Sequence, residues 1–178
     1  MGELIEIGIV CKNKSLYCEM LDFLERHLTN EETVQIISVM DNWHYDNMIE
    51  INSIEEAENY METKIVTIEK RSPCEQIGVS VEKNKKGYII ECWINPYKEV
   101  IGKEYSNFIN EIIKYLKDKN MVDVCGIGKE VSVDYDKSIY SLINDSHNID
   151  IWLISQQFFI DNKLSNLNIK ELETLIPE

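Results

Sequence analysis

The stretch IGVSVEKNKKGYIIECWI, residues 77–94, decides the fold class. Its first part, IGVSVEK (77–83), alternates apolar and other residues, which is typical of a strand with one buried face. Residues 84–87 (NKKG) have turn chemistry, and residues 88–94 have strand character again. The stretch therefore predicts a β-hairpin.

Outside the hairpin, the spacing of apolar residues predicts strands and helices in an irregular order. Apolar runs predict strands at residues 3–11, 34–40 and 65–69, and shorter ones at 122–127, 131–135, 139–143 and 149–154. Helical spacing and capping signals predict helices at residues 15–28, 53–63 and 103–119, and a last short helix after Asn168. The pattern of residues 156–163 is ambiguous.

This order of elements predicts an α+β fold, a mostly antiparallel sheet with two to four helices packed on one face, because hairpins outnumber β-α-β units. The length suits one domain, residues 1–178, and the alternative is two small halves that meet near residues 71–76. No apolar run approaches the ~18–20 residues that cross a bilayer, and the first residues lack the basic region of a secretory signal. We therefore expect a cytoplasmic protein that does not bind membranes.

The net charge limits the possible partners. The chain has 32 acidic and 18 basic residues, a net charge of −14, so we expect no direct binding of nucleic acid, itself a polyanion. The charge is uneven, because residues 41–62 (DNWHYDNMIEINSIEEAENYME) hold seven acids and no Lys or Arg, which is half of the net charge. A second stretch, residues 130–161, holds six acids against a single base, Lys137.

Motifs of catalysis and nucleotide binding are not found in the sequence. GxGxxG, P-loop, HExxH, EF-hand and GxSxG patterns do not occur, and the five cysteines contain no CxxC pair. Cys92 is next to Glu91, but strand alternation places the two on opposite faces, so Glu91 cannot activate the thiol. His44, between Asp41 and Asp46, is the candidate general base or metal ligand, although an exposed loop histidine is the simpler interpretation. We expect no enzyme activity, cofactor or metal.

The acidic run 41–62 also contains aromatic residues, which are favoured anchors of protein interfaces. Carboxylates steer the approach of a basic protein, and Trp and Tyr then supply buried contact area. A solvated acidic face that aids solubility is the alternative interpretation. The predicted contact residues of a basic partner are Asp41, Trp43, Tyr45, Asp46, Glu50, Glu55, Glu56 and Glu58.

An acidic α+β chain with such runs at Asp41–Glu62 and Glu130–Asp161, and without catalytic motifs, resembles the immunity proteins of bacterial toxin systems. The resemblance implies a toxin inhibitor that binds and neutralises a cognate toxin, commonly a basic nuclease domain. It is general in character and identifies no individual residues.

Two other functions are compatible with the sequence. The chain could be a small-molecule sensor or a small hydrolase with a pocket beside the 77–94 hairpin, using Glu91, Trp93, His44 or His147. It could also be a subunit of a larger assembly, joined through a strand edge or the last helix.

Overall fold

A computed structural model describes residues 4–28, 32–85, 87–95, 102–119, 122–132, 147–161 and 172–175. They form a nine-stranded sheet and four helices, so the predicted α+β class is confirmed. The strands are β1 (Ile5–Cys11), β2 (Val34–Met40), β3 (Ile49–Ile51), β4 (Ile65–Arg71), β5 (Gln76–Asn84), β6 (Gly87–Asn95), β7 (Val122–Ser132), β8 (His147–Ser155) and β9 (Leu172–Leu175). The helices are α1 (Leu16–Glu25), α2 (Ile54–Glu58), α3 (Gly102–Lys119) and α4 (Gln156–Asp161).

The strand order is β3-β2-β4-β5-β6-β1-β7-β8-β9, and every neighbouring pair is antiparallel except β8 and β9. The predicted hairpin is β5 and β6, paired from Gln76 with Asn95 to Asn84 with Gly87. Strands β4 and β5 are adjacent and are joined by a tight turn, in which the backbone N–H of Ser72 donates to the carbonyl of Glu75. The sheet thus continues without a break through residues 71–76.

Strand β1 is central, between β6 and β7, and carries core residues at Ile7, Ile9 and Cys11. Helices α1 and α3 pack on that same face of the sheet, where their apolar sides enter the core. Hydrogen bonds also tie α1 to its neighbours: the Tyr17 hydroxyl donates to Glu58 (2.7 Å), and the Tyr115 hydroxyl donates to the carbonyl of Glu19 (2.9 Å). The helical face is therefore one continuous apolar layer.

Two predicted helices differ from the structure. The helix expected at 53–63 is shorter than predicted and consists of α2 alone. Ser53 caps α2 by accepting the N–H of Glu56 (3.1 Å). The chain turns after α2, and the side chain of Met61 enters the core. The short helix expected after Asn168 is wrong where the chain is described, because residues 172–175 form β9. Pairing with β8 overrides the local helix signal there.

Other predicted elements have different bounds in the structure or lie outside the described residues. The ambiguous segment 156–163 begins as helix α4, and β7 runs without interruption through 122–132. The strand-like run at 139–143 and Asn168 itself lie outside the described residues. No helix in the described ranges is long and apolar enough to cross a membrane.

On the face opposite the helices, a tryptophan ring covers a glycine of the neighbouring strand. Trp93 is paired with Gly78, and a Cβ atom added at Gly78 would lie 2.1 Å from Cζ2 of the indole. Trp152 is likewise paired with Gly126, but a Cβ atom added there would lie 3.0 Å from Cδ1 of Ile149 and 3.1 Å from Cζ3 of the Trp152 indole. The absence of a side chain at Gly78 is thus a packing requirement.

We expect Gly78→Ala to lower the free energy of unfolding by about 1–3 kcal/mol, because the indole of Trp93 must move. Gly126→Ala, the matched control, should cost less because its added methyl group meets no atom closer than 3.0 Å. Urea denaturation of both variants measures the difference. In a Trp93→Ala background the Gly78→Ala loss should largely vanish; a loss of full size there would contradict the packing account.

His27 predicts a pH dependence of stability. Its half-buried ring packs against Phe23 (centroids 4.9 Å apart) and Phe108 (5.0 Å apart) between α1 and α3. Burial lowers the pKa of His27, although Glu111 opposes the shift, so the folded state favours the neutral ring rather than a cation at the helix end. The unfolded chain binds a proton at His27 more tightly than the folded chain does. The free energy of unfolding is therefore highest above the ordinary histidine pKa of about 6.5, and it falls as the pH drops below that value.

From pH about 7.5 to about 5.5, the wild-type free energy of unfolding should therefore fall more steeply than that of His27→Phe, which keeps an aromatic ring. Urea titrations at each pH measure both slopes. Equal slopes, or a steeper one for the variant, would contradict the neutral-ring account.

Candidate functional site

The acidic-aromatic loop, residues 41–48 between β2 and β3, is braced by its own polar groups. The backbone N–H of Asp41 donates to the carbonyl of Asp46 (3.0 Å), which closes the loop. The two carboxylate oxygens of Asp41 accept from Lys64 Nζ (2.5 Å) and Asn47 Nδ2 (2.6 Å). Asp41, a predicted contact residue, thus holds the loop in shape.

The backbone of this loop is unusual at Tyr45 and Asn47, whose φ angles are 63° and 51°. The left-handed region suits glycine and tolerates asparagine, but it costs a tyrosine roughly 1–2 kcal/mol. Such conformations persist only where neighbouring contacts impose them, and they cluster at functional sites. The Tyr45 N–H donates to the carbonyl of Asn42 (3.1 Å), one of the contacts that impose it.

Large apolar side chains are exposed on and beside the loop. The exposed fractions are 43% for Trp43, 63% for Tyr45, and 47% for each of Met48 and Ile49. Trp43 is nevertheless fixed in place, because its indole Nε1 donates to Glu82 of β5 (3.0 Å). These four side chains are the exposed large apolar residues of 41–49.

The predicted carboxylates are all exposed, but they do not lie on one flat patch. Asp46 belongs to the loop, where it accepts from Asn42 Nδ2 (2.9 Å). Glu50 lies on the face of β3 opposite Ile49 by strand alternation. Glu55 and Glu56 lie in the first turn of α2, and Glu58, near its end, accepts from Tyr17. The predicted carboxylates are therefore spread over three elements: the loop, β3 and α2.

Lysines from elsewhere in the chain partly neutralise the acidic run. Lys14 and Lys83 approach Glu62 (3.3 and 3.5 Å), and Lys64 approaches Asp41. The hydrogen bond from Tyr88 is the largest cause that lowers the pKa of Glu62, and that from Asn47 is the largest for Asp41. The sequence count of seven unopposed charges thus overstates the negative charge of the folded surface.

Sequence reasoning missed Met48 and Ile49. Their signal was an apolar pair inside an otherwise polar run, which was not recognised because the three-residue strand β3 was not predicted. The roles of Lys64 and Glu82 had no local signal, because both reach the loop from other strands or turns.

The residues of the alternative pocket beside the hairpin are dispersed. A cleft of about 170 Å³ lies there, lined by Asp41, Glu62, Thr63, Lys64, Ile65, Glu82 and Lys83. Glu91, Trp93 and His44 are not among its lining residues, and the side chain of His147 lies outside the description. This volume is below the roughly 300–1,000 Å³ of usual ligand pockets.

Three cysteines are buried and two are exposed. Burial raises the pKa of the thiols of Cys11, to about 12, and of Cys92 and Cys125. A thiol with a raised pKa is a poor nucleophile, because the thiolate is the reactive form. The geometry therefore gives no support to Cys92 as a nucleophile.

Comparison with protein-family models, curated proteins and solved structures finds no match. Within the described ranges, no group of three His, Cys, Asp or Glu side chains is placed to hold a metal ion. Function therefore has to be argued from the surface and clefts of the chain itself.

Burial predicts thiol reactivity directly. In the native protein, Cys18 and Cys74 should react with a disulfide reagent within minutes, and Cys11, Cys92 and Cys125 only after denaturant is added. The release of coloured thiolate, compared with a Cys18→Ser, Cys74→Ser double variant, measures this. Fast reaction in the double variant would show that a buried thiol is accessible.

Proposed function

We propose that this protein is a non-catalytic, cytoplasmic binding protein that neutralises or sequesters a basic protein partner, in the manner of bacterial immunity proteins. One observation carries the proposal: within residues 41–50, the large apolar side chains of Trp43, Tyr45, Met48 and Ile49 are all exposed, as are the carboxylates of Asp46 and Glu50. Exposed apolar groups rimmed by charge are typical of protein interaction sites.

The rigidity of the loop supports this function. The hydrogen bonds from Trp43 to Glu82 and from Lys64 to Asp41 hold the loop before any partner arrives. A preorganised anchor loses less conformational entropy on binding, so more of its contact energy appears as affinity. The left-handed Tyr45, kept 63% exposed, serves no packing need within the described part of the chain.

The charge distribution supports a basic partner. Asp46 and Glu50 carry exposed carboxylates in the loop and in β3, and Glu55 and Glu56 carry exposed carboxylates in the first turn of α2. Such carboxylates raise the association rate of a cationic protein and disfavour anionic competitors. A basic nuclease domain, whose nucleic-acid groove is itself cationic, has the matching chemistry.

The test uses the tagged full chain to capture proteins from the source organism. Trp43→Ala should weaken binding of the captured basic partner by roughly 30-fold or more if Trp43 is a central anchor. Tyr45→Gly should also weaken binding while leaving the fold no less stable, since glycine relieves the left-handed backbone. Calorimetry with the purified partner measures affinity, and thermal melts measure stability.

The controls are matched to these changes. Val34→Ala removes another exposed apolar side chain, on β2, and Asp22→Asn removes an exposed charge on α1. Neither should alter affinity. Raising the salt from about 50 to about 500 mM should slow association. A partner whose binding survives Trp43→Ala, Tyr45→Gly and high salt would show that this surface is not the interface.

Neutralisation is tested separately from binding. The captured partner should be toxic when produced alone in a cell, and co-production of the wild-type protein should restore growth. The Trp43→Ala, Tyr45→Gly double variant should restore growth less well. If the partner keeps its full activity when saturated with this protein, the proposed inhibition is wrong and the protein only binds its partner.

Small-molecule binding is the second candidate function. The cleft that favours it is not the one beside the hairpin. The cavity at the start of β7 has a volume of about 480 Å³, within the usual range for ligand pockets.

A further inference from the structure

The larger cleft lies where β1 ends, β7 begins and β8 passes into α4. Helix α4 forms one wall, and Ser155 caps it by accepting the N–H of Phe158 (3.2 Å). This wall has apolar side chains, Phe158 and Ile160, and one acidic side chain, Asp161. The opposite side carries Lys12 and Asp123.

Asp123 faces this cleft because of a β-bulge. Val10 of β1 pairs with Val124, but Cys11 pairs with Val122, so Asp123 is the extra residue of β7. Regular alternation from Cys125 would put position 123 on the core face. Val122 is buried in the core instead, and Asp123 lines the cleft. Bulges often redirect a side chain beside a functional site.

The charges in the cleft are not balanced. The half-buried carboxylate of Asp123 has no hydrogen-bond partner in the described part of the chain, and burial raises its pKa. Asp161 raises that pKa further, and Lys12 opposes the shift. Asp161 uses one oxygen to accept from Gln157 Nε2 (2.6 Å). A second cation would be favourable between the two carboxylates.

We propose that this cleft binds a guanidinium or primary ammonium group carried on an aliphatic stem. Asp123 and Asp161 would accept its hydrogen bonds, and Phe158 and Ile160 would pack against the stem. The proposal stands independently of the acidic-aromatic loop, although both lie at the same end of the sheet. Its ligand is either a free amine or an arginine or lysine side chain of another protein.

The test titrates the ¹⁵N-labelled full chain with agmatine at constant ionic strength. A parallel series uses the blocked tripeptide acetyl-Gly-Arg-Gly-amide, which presents the same group as a protein side chain. We expect saturable amide shifts confined to residues 12–13, 122–123 and 155–161. Binding of the peptide but not of agmatine supports the site and identifies a protein side chain as its source; the reverse identifies a free amine.

Substitutions of the acidic and the basic residues of the cleft should change its affinity for the probes in opposite directions. Asp123→Asn and Asp161→Asn should each weaken binding by about tenfold, the usual size of a charged hydrogen bond. Lys12→Gln should strengthen it, because the competing cation is removed. Asp22→Asn, an exposed acid on α1, is the control and should change nothing. Because partial burial of the charged Asp123 carboxylate opposes folding, Asp123→Asn should melt no lower than the wild type.

Three results would overturn the proposal. The first is the absence of saturation with both probes. The second is a set of shifts spread evenly over the acidic surface. The third is equal affinity in the wild type, Asp123→Asn and Asp161→Asn. If Asp123→Asn fails to fold, Asp161→Asn and Lys12→Gln still decide the question by their opposite signs.

Discussion

The position of β1 between β6 and β7 is the constraint on which the rest of the structure depends. This strand joins the five strands β2–β6 to the three strands β7–β9 and carries core residues at Ile7, Ile9 and Cys11. Its antiparallel pairing also aligns the neighbouring strand ends. The acidic-aromatic loop after β2 and the cleft at the start of β7 therefore lie at one end of the sheet.

Five strand spacings separate β2 from β7, about 24 Å. One protein partner of ordinary interface size could cover both places.

The two places have different chemistry. The loop exposes apolar side chains on a braced backbone and also carries the exposed carboxylate of Asp46, a combination that we propose suits a broad protein surface. The cleft presents two carboxylates and an apolar wall in a confined volume, and so suits one cationic group. In both, the protein retains an unfavourable local feature, which is the left-handed Tyr45 in the loop and the half-buried charge of Asp123 in the cleft. Proteins often give up stability in this way at functional sites.

Local patterns in the sequence were enough to predict the hairpin of β5 and β6, helix α3 and the α+β class, because each depends on periodicity within one segment. Non-local pairing was not predictable. Strand β3 has only three residues and is defined by β2, and β9 forms where a capping signal favoured helix. The sequence showed that Trp43 and Tyr45 lie in an acidic run, whereas it did not show the hydrogen bonds that the loop makes with Lys64 and Glu82. The bulge that turns Asp123 into the cleft depends on the register of β7 against β1, which one sequence does not reveal.

We propose that the loop and β3 are the interface for a basic protein. Amide hydrogen exchange of the protein, alone and bound to the partner, measures this directly. We expect binding to slow exchange most within residues 41–51 and to change it little along α3 at residues 102–119. Protection concentrated on α3, or absent from residues 41–51, would contradict the proposed interface.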